Sequence, residues 1–153
     1  MRIRHNGTVD STVISSRQVL LTDGQFHAAR IEVSQGRIRS IAALGRDEPP
    51  TTDLMLAPGF VDLQVNGIED VDVWSTALAD NTTAWERINQ LLLDQGVTSW
   101  CPTLVTAPLD LYRVAIEFVN RQRSVLGTPH VIGVHLEGPF LGGAVGAHRS
   151  QDI

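Results

Sequence analysis

Leu54-Met55-Leu56-Ala57-Pro58-Gly59-Phe60-Val61-Asp62-Leu63-Gln64-Val65 is nearly all apolar around its Pro-Gly pair. Such a run predicts a strand buried on both faces, as in a parallel sheet covered by helices. Downstream the spacing becomes helical. Thr83-Ala84-Trp85-Glu86 has the Thr-x-x-Glu form of a capping box. Trp85, Ile88, Leu91 and Leu92 then recur on one helix face, and Gly96 is placed to end the helix, predicting a helix near 83–95. Val97 to Cys101 predicts the next strand. Pro108 suits a first helical position, and Leu111, Val114, Ala115, Phe118 and Val119 mark the inner face of a helix near 108–122. Val131 to Leu136 predicts a third strand. Alternation of this kind argues for an α/β fold with a parallel sheet and crossover helices.

Upstream of that run the pattern is different. Val19-Leu20-Leu21 leads into the turn pair Asp23-Gly24, and His27 to Val33 alternates with Ala29, Ile31 and Val33 on one face. Ser34-Gln35-Gly36 reverses the chain and Arg37 to Ile41 returns, so Val13 to Ala43 predicts a small antiparallel meander. Asp47-Glu48-Pro49-Pro50-Thr51-Thr52 reads as a polar connector. The expected division is a meander over 1–53 and an α/β part over 54–153.

Composition narrows the function. The chain has 153 residues, 42% apolar and 19% charged, which excludes intrinsic disorder and allows a real core. Its net charge is −5 and all twelve basic residues are scattered arginines, so no nucleic-acid-binding face is expected. No apolar run approaches the roughly 18 residues of a membrane span, and Met1-Arg2-Ile3-Arg4-His5 opens no signal peptide. The single Cys101 makes no internal disulfide, in keeping with a cytoplasmic protein.

In parallel α/β folds the chemistry lies at the C-terminal ends of strands. Asp62, Gln64 and Asn66 are spaced by two and so share a strand face directed into a barrel interior, with Leu63 and Val65 toward the helices. Three inward polar groups make either an internal hydrogen-bond cluster or a binding surface. Trp100-Cys101-Pro102-Thr103 ends the second strand; Cys101 reads as a small buried residue and Thr103 as a pocket wall. His135 and Glu137 share a face at the third end, where Glu137 is a metal ligand, a general base or an ion-pair partner. Gly142-Gly143-Ala144-Val145-Gly146-Ala147-His148 is a glycine-rich loop without the ending of a phosphate loop, and its His148 either meets substrate or is solvated. His5, His27 and His130 read as surface or turn residues.

Three stretches together carry a family resemblance. Pro58-Gly59-Phe60-Val61-Asp62-Leu63-Gln64-Val65-Asn66-Gly67 resembles the first barrel strand of N-acetylglucosamine-6-phosphate deacetylases, in the amidohydrolase superfamily. Gly96-Val97-Thr98-Ser99-Trp100-Cys101-Pro102-Thr103-Leu104-Val105-Thr106 resembles their second strand. His135-Leu136-Glu137-Gly138-Pro139-Phe140 resembles their most diagnostic stretch, with Gly146-Ala147-His148 as the loop element that follows. The meander is similar to their N-terminal sandwich strands.

The resemblance implies the first three β strands of a (β/α)8 TIM barrel, preceded by part of a composite β-sandwich. It implies hydrolysis of the acetamide of N-acetylglucosamine 6-phosphate to glucosamine 6-phosphate and acetate. Glu137 matches the carboxylate that binds a catalytic divalent metal, zinc first, iron or another second. Gln64 and Asn66 match positions where most amidohydrolases have His-x-His, which implies one tight metal rather than two. Together with Thr103, Ala147 and His148 they are the expected substrate-binding residues. Two further histidine ligands and the catalytic Asp would follow Ile153, and Asp62, Asp70 and Asp72 do not replace that Asp. The chain is therefore expected to be the N-terminal part of an enzyme, inactive alone and without tight metal of its own. Its expected partners are a small amino-sugar phosphate and further copies of itself, a dimer in the intact family enzyme, with no nucleic acid or membrane. The rival readings are another amidohydrolase of the dihydroorotase type and a non-catalytic half-barrel binding or assembly module.

Overall fold

The computed structural model describes residues 11–123, 125, 127–141, 143 and 146. They form two compact units that divide between Pro58 and Gly59.

The first unit is an antiparallel sheet in the order β1 (Ser11–Leu20), β2 (Phe26–Ser34), β3 (Arg37–Ala43). The turns are where the sequence puts them. Gly24 takes φ +76°, and Asp23 accepts from the Gln25 backbone N–H at 3.0 Å. That bond first, and the His27 ring second, hold the Asp23 carboxyl below the usual carboxylate range. Gln35 and Gly36 both have positive φ, the backbone of a tight hairpin whose twist matches its strands. On β2, Ala29 is buried and Ile31 and Val33 half-buried, but the expected alternation fades beyond Ile31, where Glu32 is also half-buried and Ser34 is buried. Arg17 pins the connector by donating to the carbonyls of Gly45, Arg46 and Glu48 at 2.9, 2.9 and 2.6 Å.

The expected continuous strand Leu54–Val65 does not form. Leu56 instead bridges Val19 in the first unit, exchanging backbone hydrogen bonds of 2.8 Å with Gln18 and Leu20. Pro58, which has no N–H to offer a ladder, separates it from β4 (Phe60–Val65) in the second unit. Nor is β4 buried on both faces. Phe60, Val61 and Leu63 are 68%, 58% and 61% exposed, and only Val65 enters the core, because β4 is an edge strand with one described neighbour.

That neighbour is β7 (Val97–Val105), the central strand of a parallel sheet. On its other side run β8 (His130–Val131) and β9 (His135–Glu137), also parallel. Parallel neighbours require crossovers, supplied by α2 (Thr82–Asp94) and α3 (Leu109–Gln122). The unit is thus α/β, as expected, and the first is antiparallel β. Two elements give no warning in the periodicity: the short hairpin β5 (Gly67–Ile68) and β6 (Val71–Asp72), and α1 (Val73–Leu78). The one local signal for α1 is Asp72, whose side chain caps it by accepting from the Ser75 N–H at 2.6 Å.

The single third strand expected over 131–136 is broken, for a physical reason. Between the Trp100–Val131 and Thr103–His135 pairs, Cys101 and Pro102 face three residues, Ile132 to Val134. Between the Asp62–Trp100 and Val65–Pro102 pairs, β4 likewise carries one residue more than β7. Pro102 lacks the N–H that a regular ladder would use, and both neighbours bulge beside it. The strand nevertheless runs on through Pro102 to Val105 rather than ending at Cys101.

The helix ends also depart from expectation. Asn81, not Thr83, caps α2, its side chain accepting from the Ala84 N–H at 3.0 Å. Gly96 ends it at φ +80° as expected. Asn81→Ala should therefore cost about 1 kcal/mol in urea unfolding, while Thr83→Ala should cost a few tenths at most. On α3 the buried face is Tyr112, Ala115, Phe118 and Val119, rotated away from Val114, which is 39% exposed. Tyr112 turns inward because its hydroxyl donates to the Val105 carbonyl at 2.8 Å and its ring packs edge-on to Trp74. Pro108 stands one place before the first helical position.

The core of this unit lies between the sheet and its helices. Trp85 is its hub, 5.0 Å from Trp100 and 5.4 Å from Phe118 between ring centres. Gly59 shows how closely the edge is packed: a Cβ there would run into the Thr98 side chain. Gly59→Ala should lower the unfolding free energy by about 1–3 kcal/mol, read from the urea midpoint.

Candidate functional site

The C-terminal ends of β4, β7 and β9 lie side by side, so residues far apart in the chain meet there. Gln64 and Asn66 leave β4 on one face, and Glu137 ends β9. The Asn66 Nδ2 donates to Glu137 Oε2 at 3.2 Å and the Gln64 Nε2 donates to the same oxygen at 3.4 Å. Two neutral amides thus converge on one carboxylate oxygen. Asp62 shares their face, but its Oδ1 accepts from the Gln64 backbone N–H at 3.1 Å. A cleft of about 300 Å³ runs along β4, lined by Asp62, Gln64 and Asn66 with Leu92 of α2 and Gln95 just past its end.

One step down the strands, His135 pairs with Thr103 across β7 and β9, its Nδ1 3.2 Å from the Thr103 Oγ1. Thr103 is fully buried. It therefore supports His135 from beneath rather than forming the pocket wall expected of it. This pairing is missed by sequence reasoning, and only the parallel register of two distant strands reveals it. Cys101 is half-buried rather than buried, since it lies against Gly133, which has no side chain to cover it. Beyond Glu137 the chain turns at Gly138, φ +96°, where a Cβ would run into Thr106. His27 and His130 are exposed, as expected. Ala147, His148 and His5 lie outside the described residues.

Among the described residues no group of three or more His, Cys, Asp or Glu could hold a metal ion. A tight zinc site normally takes three or four protein ligands. Glu137 is a suitable carboxylate, but two neutral amide donors face it, not ligating groups. The described residues therefore do not by themselves fit a metal centre. Nor is any described helix long and apolar enough to cross a membrane.

No family model matches the chain. The N-acetylglucosamine-6-phosphate deacetylase of Bos taurus is 44% identical over 90 residues, 57% of this chain and 21% of that protein. The N-acetylgalactosamine-6-phosphate deacetylase of Escherichia coli O157:H7 is 29% identical over 131 residues, 84% of this chain and 33% of its own length. The solved N-acetyl-D-glucosamine-6-phosphate deacetylase of Mycobacterium smegmatis superposes with a TM-score of 0.74 at 24% identity, over 93% of this chain and 36% of that one. This chain is homologous to the N-terminal part of N-acetylglucosamine-6-phosphate deacetylases. It spans between a fifth and a third of the length of these two curated relatives. The fold likeness to the mycobacterial deacetylase covers nearly the whole chain, so it takes in both the meander and the parallel sheet.

Proposed function

We propose that the chain is the N-terminal part of an N-acetylglucosamine-6-phosphate deacetylase, and that Gln64, Asn66 and Glu137 belong to its active site. The observation that carries this reading is the convergence of the two amides on Glu137 at the C-terminal ends of parallel strands, in a chain homologous to such deacetylases. In this reading β4, β7 and the broken strand β8–β9 are the first three strands of a (β/α)8 barrel. The meander belongs to a sandwich completed by later strands. Water adds to the acetamide carbonyl, the C–N bond breaks, and the proton goes to the leaving amine, giving acetate and glucosamine 6-phosphate.

A divalent metal, zinc first, belongs to the reading, with Glu137 as the ligand this chain contributes; the others lie outside the described residues, as does the catalytic Asp. Ala147 and His148 join the substrate side as proposals. The protein is read as a cytoplasmic homo-oligomer, and the edges of β4 and β8–β9 as covered by the later strands of the barrel.

A second substrate is favoured by a specific observation: a relative matched over 84% of this chain is an N-acetylgalactosamine-6-phosphate deacetylase. Acetate release separates the two. The full-length enzyme carrying this sequence should deacetylate N-acetylglucosamine 6-phosphate in preference to N-acetylgalactosamine 6-phosphate, and the 153-residue chain alone should release none from either. A full-length enzyme inactive on both sugars would remove the proposal.

A further inference from the structure

We infer that Gln64 and Asn66 are positioning residues for Glu137: their side-chain amides grip one carboxylate oxygen and fix the rotamer in which Glu137 is presented at the site. The inference rests on the deacetylase reading for its purpose, but its geometry stands apart from it.

Both donors reach Oε2, at 3.4 and 3.2 Å, Gln64 from the end of β4 and Asn66 from the residue just beyond it. A carboxylate only accepts, so both amides must turn their NH2 groups toward it. That orients each amide as well as the acid. A glutamate side chain without partners samples several rotamers. Here its Oε2 accepts from two groups on the far side of β7, 73 and 71 residues away in sequence. Neither of these two donors carries a charge. The bulge that β4 makes beside Pro102 shifts both residues relative to the regular ladder, which is how a strand re-aims side chains at its end.

The test is solution NMR of the labelled 153-residue chain, which needs neither metal nor turnover. In the wild-type chain the Asn66 side-chain amide should show a nuclear Overhauser contact to the Glu137 γ-methylene. The Glu137 α–β couplings should report one dominant rotamer. In Gln64→Leu/Asn66→Leu those couplings should collapse toward an averaged pair of equal values. Asn66→His, which restores an N–H donor in the Gln64→Leu background, should recover the single rotamer. A purely structural role for the two residues would not be rescued by donor chemistry. Both side chains are exposed, so the double variant should keep the core signals of Trp85 and Trp100. An absent contact in the wild type would overturn the inference, as would unchanged couplings in a folded double variant. Either result would leave the deacetylase reading standing. An inactive full-length enzyme with these NMR signatures intact would sink that reading and spare this one.

Discussion

Glu137→Gln should abolish most acetate release by the full-length enzyme, lowering kcat by about 10²–10⁴-fold while Cys101→Ser changes it little. Glutamine is the closest isostere, so the loss would report charge and not shape. It removes the negative charge on which Gln64 and Asn66 converge. Its carbonyl oxygen can take the place of Oε2 and accept from both amides, so the grip is kept while the charge is lost. Cys101 is half-buried against Gly133, and its thiol-to-hydroxyl change keeps size and neutrality. The measurement is acetate produced per enzyme with and without added Zn²⁺. A Glu137→Gln enzyme at full rate would remove Glu137 from the site, and a dead Cys101→Ser enzyme would point to chemistry assigned nowhere here.

Trp85→Ala should destabilise the second unit by about 3–5 kcal/mol, the usual cost of emptying a large aromatic site that cannot collapse. Trp85 is 1% exposed and touches both Trp100 and Phe118 in tilted and edge-on geometry. Each aromatic pair is worth about 0.5–1.5 kcal/mol beyond area burial, which puts the loss toward the upper end. Domains are stable by only about 5–15 kcal/mol, so the variant should be near its unfolding limit at 37 °C. Leu109→Ala on the same unit, at a side chain 67% exposed, should change stability by no more than about 0.5 kcal/mol. Urea unfolding followed by tryptophan fluorescence and far-ultraviolet circular dichroism reads both. Equal midpoints for the two variants would show that the aromatic cluster is not the core of this unit.

The two crossover helices are legible because their cause is local. Trp85, Ile88 and Leu92 repeat at helical spacing and are buried, and Gly96 supplies the positive φ that stops the chain. The meander is legible for the same reason: Asp23-Gly24 and Gln35-Gly36 impose their turns whatever packs above them. On the expected face of α3, Ala115, Phe118 and Val119 are buried and Leu111 half-buried, but Val114 is exposed and Tyr112 is buried instead. Val114 and Tyr112 are both acceptable on an inner face until the Val105 carbonyl gives the tyrosine hydroxyl a partner. The cap at Asn81 is not legible locally, because Asn, Thr and Thr in succession all make good caps and only the backbone path chooses among them.

The sequence by itself determined the meander, the two crossover helices, the parallel sense of the second sheet, and that Gln64, Asn66 and Glu137 stand at strand ends. These follow from periods of 2 and 3.6 residues and from turn chemistry, all of which act over a few neighbours. Only the tertiary structure decided that Leu56 leaves the strand to pair with Val19, that β4 and β8–β9 each bulge beside Pro102, and that Glu137 is met by Gln64 and Asn66 while His135 falls to Thr103. A bulge is a mismatch of count between two strands, and a cross-strand hydrogen bond depends on their register. Neither exists until segments some 70 residues apart in sequence are laid side by side.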